Sequence, residues 1–186
     1  TNPPQDMIVQ YWTPVHSQAM KMFIHQGGQW IYSDMFDLYL DYPHSMTSLK
    51  KVFKTKPHIG LKKMGPTHGL MGLECCLWSE RISSNEALER LLFPRVIALA
   101  DIAWHGSSSY SNFEKRLMNL ASSRLFKDIC FTNPVYWNMT GRERKNEALS
   151  YFQSMFDSMD EDAKRHTNDY AKPSALFAFL FIRKFF

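Results

Sequence analysis

The chain has 186 residues, 45% hydrophobic and 15% aromatic, with five Trp and a net charge of +4. That length corresponds to about one domain, and the apolar fraction excludes a disordered chain. Lys and Arg are scattered, as in LKKVFKTK (49–56) and GRERK (141–145), with no basic stripe interleaved with exposed aromatics, so no nucleic-acid partner is expected.

Cys75, Cys76 and Cys130 are too few for a disulfide framework and have no CxxC or Cys/His spacing, so reduced, buried thiols are expected. They lean intracellular, although the compartment itself stays unknown. The apolar run ALFAFLFI (175–182) is far shorter than the roughly 20 residues a bilayer needs, and no membrane partner is expected. The N-terminal TNPPQD is not a signal peptide and reads as a linker.

In chain order, MIVQYW (7–12) reads as a buried strand, and TPVHSQAMKMFIHQGG as a helix that starts near His16 or Ser17. Its apolar face is Ala19, Met20, Phe23 and Ile24, and Gly27-Gly28 stops it. A second strand, QWIYS (29–33), leads into the aromatic and acidic DMFDLYLDYPH (34–44). A short amphipathic helix follows over 45–55, then a loop, then a third strand, GLMGLECCLW (69–78). A helix over 85–104, capped by Ser84 or Asn85, buries Leu88, Leu91, Leu92, Ile97, Leu99 and Ala100, and Pro94 should kink or split it.

From about residue 110 the pattern becomes all-helical. A helix over 111–129 carries Phe113, Leu117, Leu120 and Leu125. Thr140 and Glu143 suggest a capping box ahead of a stripe of Leu149, Phe152, Phe156 and Met159, and Pro173 opens a last apolar helix. These stripes read as packing surface. Asn138-Met139-Thr140 is a glycosylation sequon that matters only in a secreted chain.

Residues 7–104 thus repeat strand and helix three times, which implies a parallel sheet with helices outside it. Ligands in such folds bind at the carboxyl ends of the strands. Here those exits carry Trp12, then Tyr39 with Asp41, then Trp78 with Glu80. An aromatic face covers the C–H face of a pyranose, and a carboxylate accepts from its hydroxyls, at about 1.5–3 kcal/mol per charge-assisted bond. A satisfied buried network at the rim of the sheet is the competing reading. His16 and His44 follow the first two exits and could edge such a pocket. No His pair has zinc-ligand spacing with a third ligand, and neither metal nor cofactor is expected.

GLECCLWSE followed by FPRVIALADIAW resembles the final βα unit of the family 20 glycoside hydrolases, the β-N-acetylhexosaminidases, in Gly72, Glu74, Trp78, Glu80, Pro94, Arg95 and Trp104. IVQYW, YLDYP and YSNFEKRL resemble further motifs of that family in the same order, so the likeness runs over about 7–118. Leu38 stands where the family usually has Trp, and Asp101 where it has Glu.

The resemblance implies an α/β fold: the last three βα units of a (β/α)8 TIM barrel (1–110), followed by a C-terminal all-helical extension (111–186). It implies an N-acetylglucosamine- or N-acetylgalactosamine-terminated glycan as substrate. Trp12 and Trp78 would line the −1 site, Tyr39 would hydrogen-bond the acetamide oxygen, and Asp41 and Glu80 would hold the 4- and 6-hydroxyls. Family members hydrolyse with retention, the substrate's own acetamide attacking C1.

The family's Asp-Glu pair, whose Glu is the general acid, has no counterpart here. The adjacent acids of MDEDAK (159–164) suit a solvated helix face. The expectation is therefore a C-terminal part of a longer enzyme, inactive alone, with the N-terminal remainder as a partner and a homodimer as a further one. The alternative is a non-catalytic sugar-binding or dimerisation module.

Overall fold

The computed structural model describes residues 6–59, 62–63, 68–79, 81–106, 109–132, 134, 139 and 141–157. The chain runs β1 (Ile8–Tyr11), a 3-10 turn (Pro14–His16), α1 (Ser17–His25), β2 (Gln29–Tyr32), α2 (Met35–Leu38), α3 (Leu49–Phe53), β3 (His58–Ile59) and β4 (Lys62–Lys63). It continues through β5 (Leu70–Leu73), α4 (Asn85–Leu92), α5 (Arg95–His105), α6 (Tyr110–Ala121) and α7 (Gly141–Asp157). Several expectations fall outside the described residues: Glu80, the linker at the N-terminus, the sequon, the Thr140 cap, the side chains of Phe152, Phe156 and Met159, MDEDAK and the helix from Pro173.

The strand-helix rhythm produces a parallel sheet in the order β1-β2-β5. Side chains alternate across it. Tyr11, Trp30 and Tyr32 are buried under the helices, in one core with Phe23 of α1, Val52 of α3, Leu99 of α5 and Phe113 of α6. Burying each such side chain contributes about 1.5–3 kcal/mol. The other face shows Ile8, Gln10 and Glu74 exposed. A bulge between Trp30 and Ile31 in the β2–β5 register lets Met71 turn outward. Gly69 is required at the base of β5: its φ is +70°, and a Cβ there would come within 2.1 Å of the Gly28 carbonyl oxygen.

Several elements differ from the sequence reading. In α1, Met20, Phe23 and Ile24 are buried, but Ala19 is exposed. The segment 34–38 forms the single turn α2. The loop after Lys56 contains the antiparallel pair β3–β4, anchored by the buried Ile59. The third strand ends at Leu73, earlier than expected, and Cys76 pairs again further on, with Tyr39.

Pro94 does split the long helix, because a proline cannot carry the α4 ladder onward. Ser84 caps α4 by accepting from the Ala87 amide at 3.2 Å. Ala100 of α5 faces solvent.

α6 stops at Ala121, short of the expected 129. The Ser122 hydroxyl donates to the Asn119 carbonyl at 3.0 Å, competing with the helix, and Leu125 is left 83% exposed. Among the described side chains of α7, Ala148 is buried and Leu149 is exposed. Among the described residues, no helix is long and apolar enough to cross a membrane.

Candidate functional site

The exits of the three parallel strands converge through backbone pairing. Beyond β1, the Trp12 carbonyl accepts from the Met35 amide at 2.8 Å. Beyond β2, Asp34 accepts from the Phe36 amide at 2.9 Å and starts the single turn α2. That turn returns the chain to the line of β5. Cys76 N–H donates to the Leu38 carbonyl at 3.0 Å, and Leu40 N–H donates to the Cys76 carbonyl at 2.7 Å. Tyr39 is thereby registered against Cys76, two residues before Trp78.

Trp12, Tyr39, Asp41 and Trp78 all line one cleft of about 840 Å3. Glu80, the fifth expected site residue, lies outside the described residues. The two indoles are about half exposed, Trp12 at 47% and Trp78 at 51%, whereas Tyr39 is 8% exposed. The Tyr39 and Trp78 rings are 6.3 Å apart at a tilt of 49°.

Burial, reinforced by the Cys76 thiol, pushes the Tyr39 hydroxyl up to about 12, against a hydrogen bond with Trp78 that lowers it. Tyr39 therefore stays a neutral hydrogen-bond donor at neutral pH. Burial also raises both Cys75 and Cys76, so they stand as thiols, and Cys76 Sγ lies 3.2 Å from Ser33 Oγ.

Asp41 is flanked by carbonyls that Arg95 holds. The fully buried guanidinium donates to Tyr42 O at 2.8 Å, Thr47 O at 2.9 Å and Leu91 O at 2.9 Å, and also to Leu40 O. Burial pulls Arg95 down to about 9, opposed by the Asp41 charge, so it remains cationic at neutral pH. One side chain from α5 thus holds three carbonyls of the loop that carries Tyr39 and Asp41.

The cleft also includes residues that the sequence reading did not select. Gln10 Nε2 donates to Glu74 Oε2 and lies 3.4 Å from Ser33 Oγ. Their signal was period two: Gln10 precedes Trp12, and Glu74, Cys76 and Trp78 follow one another, each two residues apart. Tyr42, Arg81 and Tyr151 complete the outer wall. Nothing local in the sequence points to Tyr151, because α7 reaches the cleft only through tertiary packing.

His44 does not edge the cleft. It is buried, with Nε2 2.9 Å from Arg90 O and 3.0 Å from Thr132 Oγ1, and burial with the Arg95 charge depresses it to about 3. His16 is exposed on the 3-10 turn and does not line the cleft.

A second polar cluster lies beneath α2. Asp34, Asp37 and His58 each offer a ligand atom within 4.8 Å of the others, the one such grouping that could hold a metal among the described residues. The Tyr32 hydroxyl is 2.8 Å from Asp37 Oδ2 and 2.7 Å from His58 Nδ1, and Lys51 Nζ is 3.6 Å from Asp37 Oδ1. A resident cation thus already sits beside Asp37, and the cluster fastens the underside of the α2 turn.

The model of the glycosyl hydrolase family 20 catalytic domain matches residues 1–107. A beta-hexosaminidase from Vibrio vulnificus is 40% identical over 42 residues, 23% of this chain and 5% of that protein. An exo beta-N-acetylglucosaminidase from Vibrio harveyi, solved in complex with N-acetylglucosamine, superposes with a TM-score of 0.59 at 17% identity, over 73% of this chain and 23% of that one. The beta-N-acetylhexosaminidase from Streptomyces coelicolor A3(2) gives a TM-score of 0.62 at 20% identity, over 71% and 30%. At these identities the likeness to the solved structures is one of fold. The chain spans less than a third of the length of either solved relative.

Proposed function

The chain belongs to glycosyl hydrolase family 20, and from that membership we propose that it forms part of a β-N-acetylhexosaminidase, supplying one wall of the pocket for a terminal N-acetylhexosamine. Residues 1–110 are on this reading the last three βα units of a (β/α)8 barrel, and 111–186 a helical extension. The parallel order β1-β2-β5 and the open sheet face bearing Gln10 and Glu74 suit strands that await the rest of a barrel.

The observation that carries the reading is the cleft, where Trp12, Tyr39, Asp41 and Trp78 come together from three strand exits. Tyr39 donates to the carbonyl oxygen of the sugar's acetamide, a role that suits a hydroxyl held protonated by burial. Trp12 and Trp78 flank the acetamide and the ring. Asp41 and Glu80 accept from the 4- and 6-hydroxyls. Fixing the acetamide near C1 promotes its attack there, and positioning of this kind can contribute several kcal/mol, up to about 7–11, to lowering the barrier. The general acid and its Asp partner belong to the N-terminal remainder.

The test has two arms. Calorimetric titration of the chain with N-acetylglucosamine is expected to give weak, millimolar binding that Trp78→Ala removes. Incubation with an aryl N-acetylglucosaminide is expected to give no turnover. Robust hydrolysis by this chain alone would overturn the placement of the acid elsewhere, and a tight dimer without sugar binding would replace the reading with an assembly role.

A further inference from the structure

The family match ends at residue 107, yet helix α7, beyond it, packs against the loop that carries Tyr39 and Asp41. Among the described side chains of α7, those not exposed are Arg144, Glu147, Ala148 and Tyr151. Their spacing of i, i+3, i+4 and i+7 makes them one face of the helix. Each of the four meets the loop or a group that holds it. Arg144 Nε donates to Ser45 O at 2.8 Å. The Glu147 carboxylate favours the Arg95 cation, which burial opposes, and Arg95 holds the carbonyls of Leu40, Tyr42 and Thr47. Ala148, 2% exposed, packs in one cluster with Met35, Phe36, Tyr39 and Met46. The Tyr151 ring meets Tyr42 edge-on at 6.0 Å.

These contacts converge on one side chain. The Tyr39 ring has Trp78 at 6.3 Å and Tyr42 stacked at 6.2 Å. Helix α7 supports it through Ala148, and again through Tyr151 and Tyr42. Further along the helix, Arg81 Nη1 donates to Ser154 Oγ at 3.1 Å. That attachment lies about 15 Å along the axis from Arg144, so α7 is fastened on both sides of Ala148. The small side chain at 148 sets how closely the helix approaches the cluster. A leucine there would crowd a closed group of buried side chains that includes the Tyr39 ring. A hydroxyl that must meet one ligand atom needs placement to within about 0.5 Å, and packing behind its ring supplies that placement.

We propose that α7 is a positioning element of the sugar pocket, in which Arg144 and Ala148 are positioning residues that set the place of the Tyr39 hydroxyl. The inference rests on the proposed role of Tyr39 toward the acetamide. Neither residue lines the cleft, so both act through the loop. Arg144 holds it at Ser45, and Ala148 fixes the depth of the cluster that seats the Tyr39 ring. Recognition of the acetamide thus depends on a helix beyond the family segment, which makes no contact with the sugar through either residue.

The test titrates the full chain with N-acetylglucosamine, as wild type and as Ala148→Leu, Arg144→Ala and Arg144→Lys, each also in a Tyr39→Phe background. Ala148→Leu and Arg144→Ala are each expected to weaken binding about fivefold, close to what one hydrogen bond contributes. Arg144→Lys, whose ammonium can also donate to a carbonyl, restores most of the loss. In the Tyr39→Phe background, which keeps the ring and removes the hydroxyl, the same substitutions have no further effect. Losses of full size in that background overturn the role, whatever happens to the urea midpoint. A second arm needs no sugar. Cys76 packs with the Tyr39 cluster, whereas Cys75 packs against the main core. Ala148→Leu is expected to raise alkylation of Cys76 by iodoacetamide severalfold and to leave Cys75 unchanged, as located by tandem mass spectrometry. An unchanged Cys76 rate overturns the role of α7 while the sugar pocket stands. A parallel rise at both thiols marks loss of the fold in that variant, and the Arg144 pair then decides. If the wild-type chain does not bind the sugar, the proposed role of Tyr39 falls and that of α7 with it.

Discussion

Two adjoining strand exits line the cleft, and they are held very differently. The exit of β2, residues 33–47, is buried almost throughout and fastened from three directions: Arg95 from α5, Lys51 from α3 and Arg144 from α7. The exit of β5, residues 74–79, is half exposed and joins the first through the pairing of Cys76 with Tyr39. One wall is therefore rigid, and its shape is determined by groups distant from the cleft. The other leaves the Trp78 indole half exposed, and only its intervening residues Cys75 and Leu77 pack against the main core. The contrast teaches that much of the cleft's shape is set by residues outside its lining, Arg95, Lys51 and Arg144.

Removing the fastening should break the comparison most strongly. Arg95→Ala leaves the carbonyls of Leu40, Tyr42 and Thr47 buried without their donor. Each bond to a charged group contributes about 1.5–3 kcal/mol, so the variant is expected to lose at least about 3 kcal/mol of unfolding free energy. Arg95→Lys recovers little, because an ammonium cannot reach carbonyls spread over the fork of a guanidinium. Urea denaturation read by far-UV circular dichroism checks both. A loss of under about 1 kcal/mol in Arg95→Ala would show that the rigid wall has another anchor.

A pH titration tests the same wall more gently. His44 has its folded pKa depressed from 6.5 to about 3 by burial and the Arg95 charge, so the folded state keeps it neutral. Between those values the unfolded chain binds a proton that the folded chain does not, and stability rises with pH. The stabilisation is complete above 6.5 and is lost as pH falls towards 3, at up to about 1.4 kcal/mol per unit. Unfolding midpoints measured at pH 7, 6 and 5 should fall along that slope, and His44→Asn should flatten it. A slope that survives the substitution would assign the acid sensitivity to other groups.

How far this contrast could be read from sequence differs between the two exits. Trp12, Tyr39, Asp41 and Trp78 were legible because strand ends in a strand-helix repeat gather on one side of the sheet, and these four do line one cleft. Arg95 stood in a quoted motif without a role, since nothing local says that its guanidinium reaches back to carbonyls 48–55 residues earlier in the chain. Phe113, Arg116 and Leu117 carried part of the resemblance, yet they are scaffold: the two apolar residues are core, and Arg116 holds Asp101 at 2.7 Å across α5 and α6. His44 looked like a pocket edge because it follows a strand exit, and only tertiary packing turns it inward. The boundaries read least well were β5 and α6, where an exposed exit and a serine pair, Ser122-Ser123, end regular structure that apolar spacing alone would have continued.

The smallest stability effect is expected at the exposed wall, and it sharpens the contrast because the same residue should matter most for ligand. Trp78 is 51% exposed, and its packing partner in the cleft is the Tyr39 ring. Trp78→Ala is therefore expected to change the unfolding free energy by no more than about 1 kcal/mol, well below the loss in Arg95→Ala. Its titration with N-acetylglucosamine should nevertheless fall below detection, since the indole is the broadest apolar face offered to a sugar from that side. A stability loss as large as that of Arg95→Ala would mean that the two walls are one cooperative unit. The half-open appearance of the β5 exit would then say nothing about how the site divides its work between shape and contact.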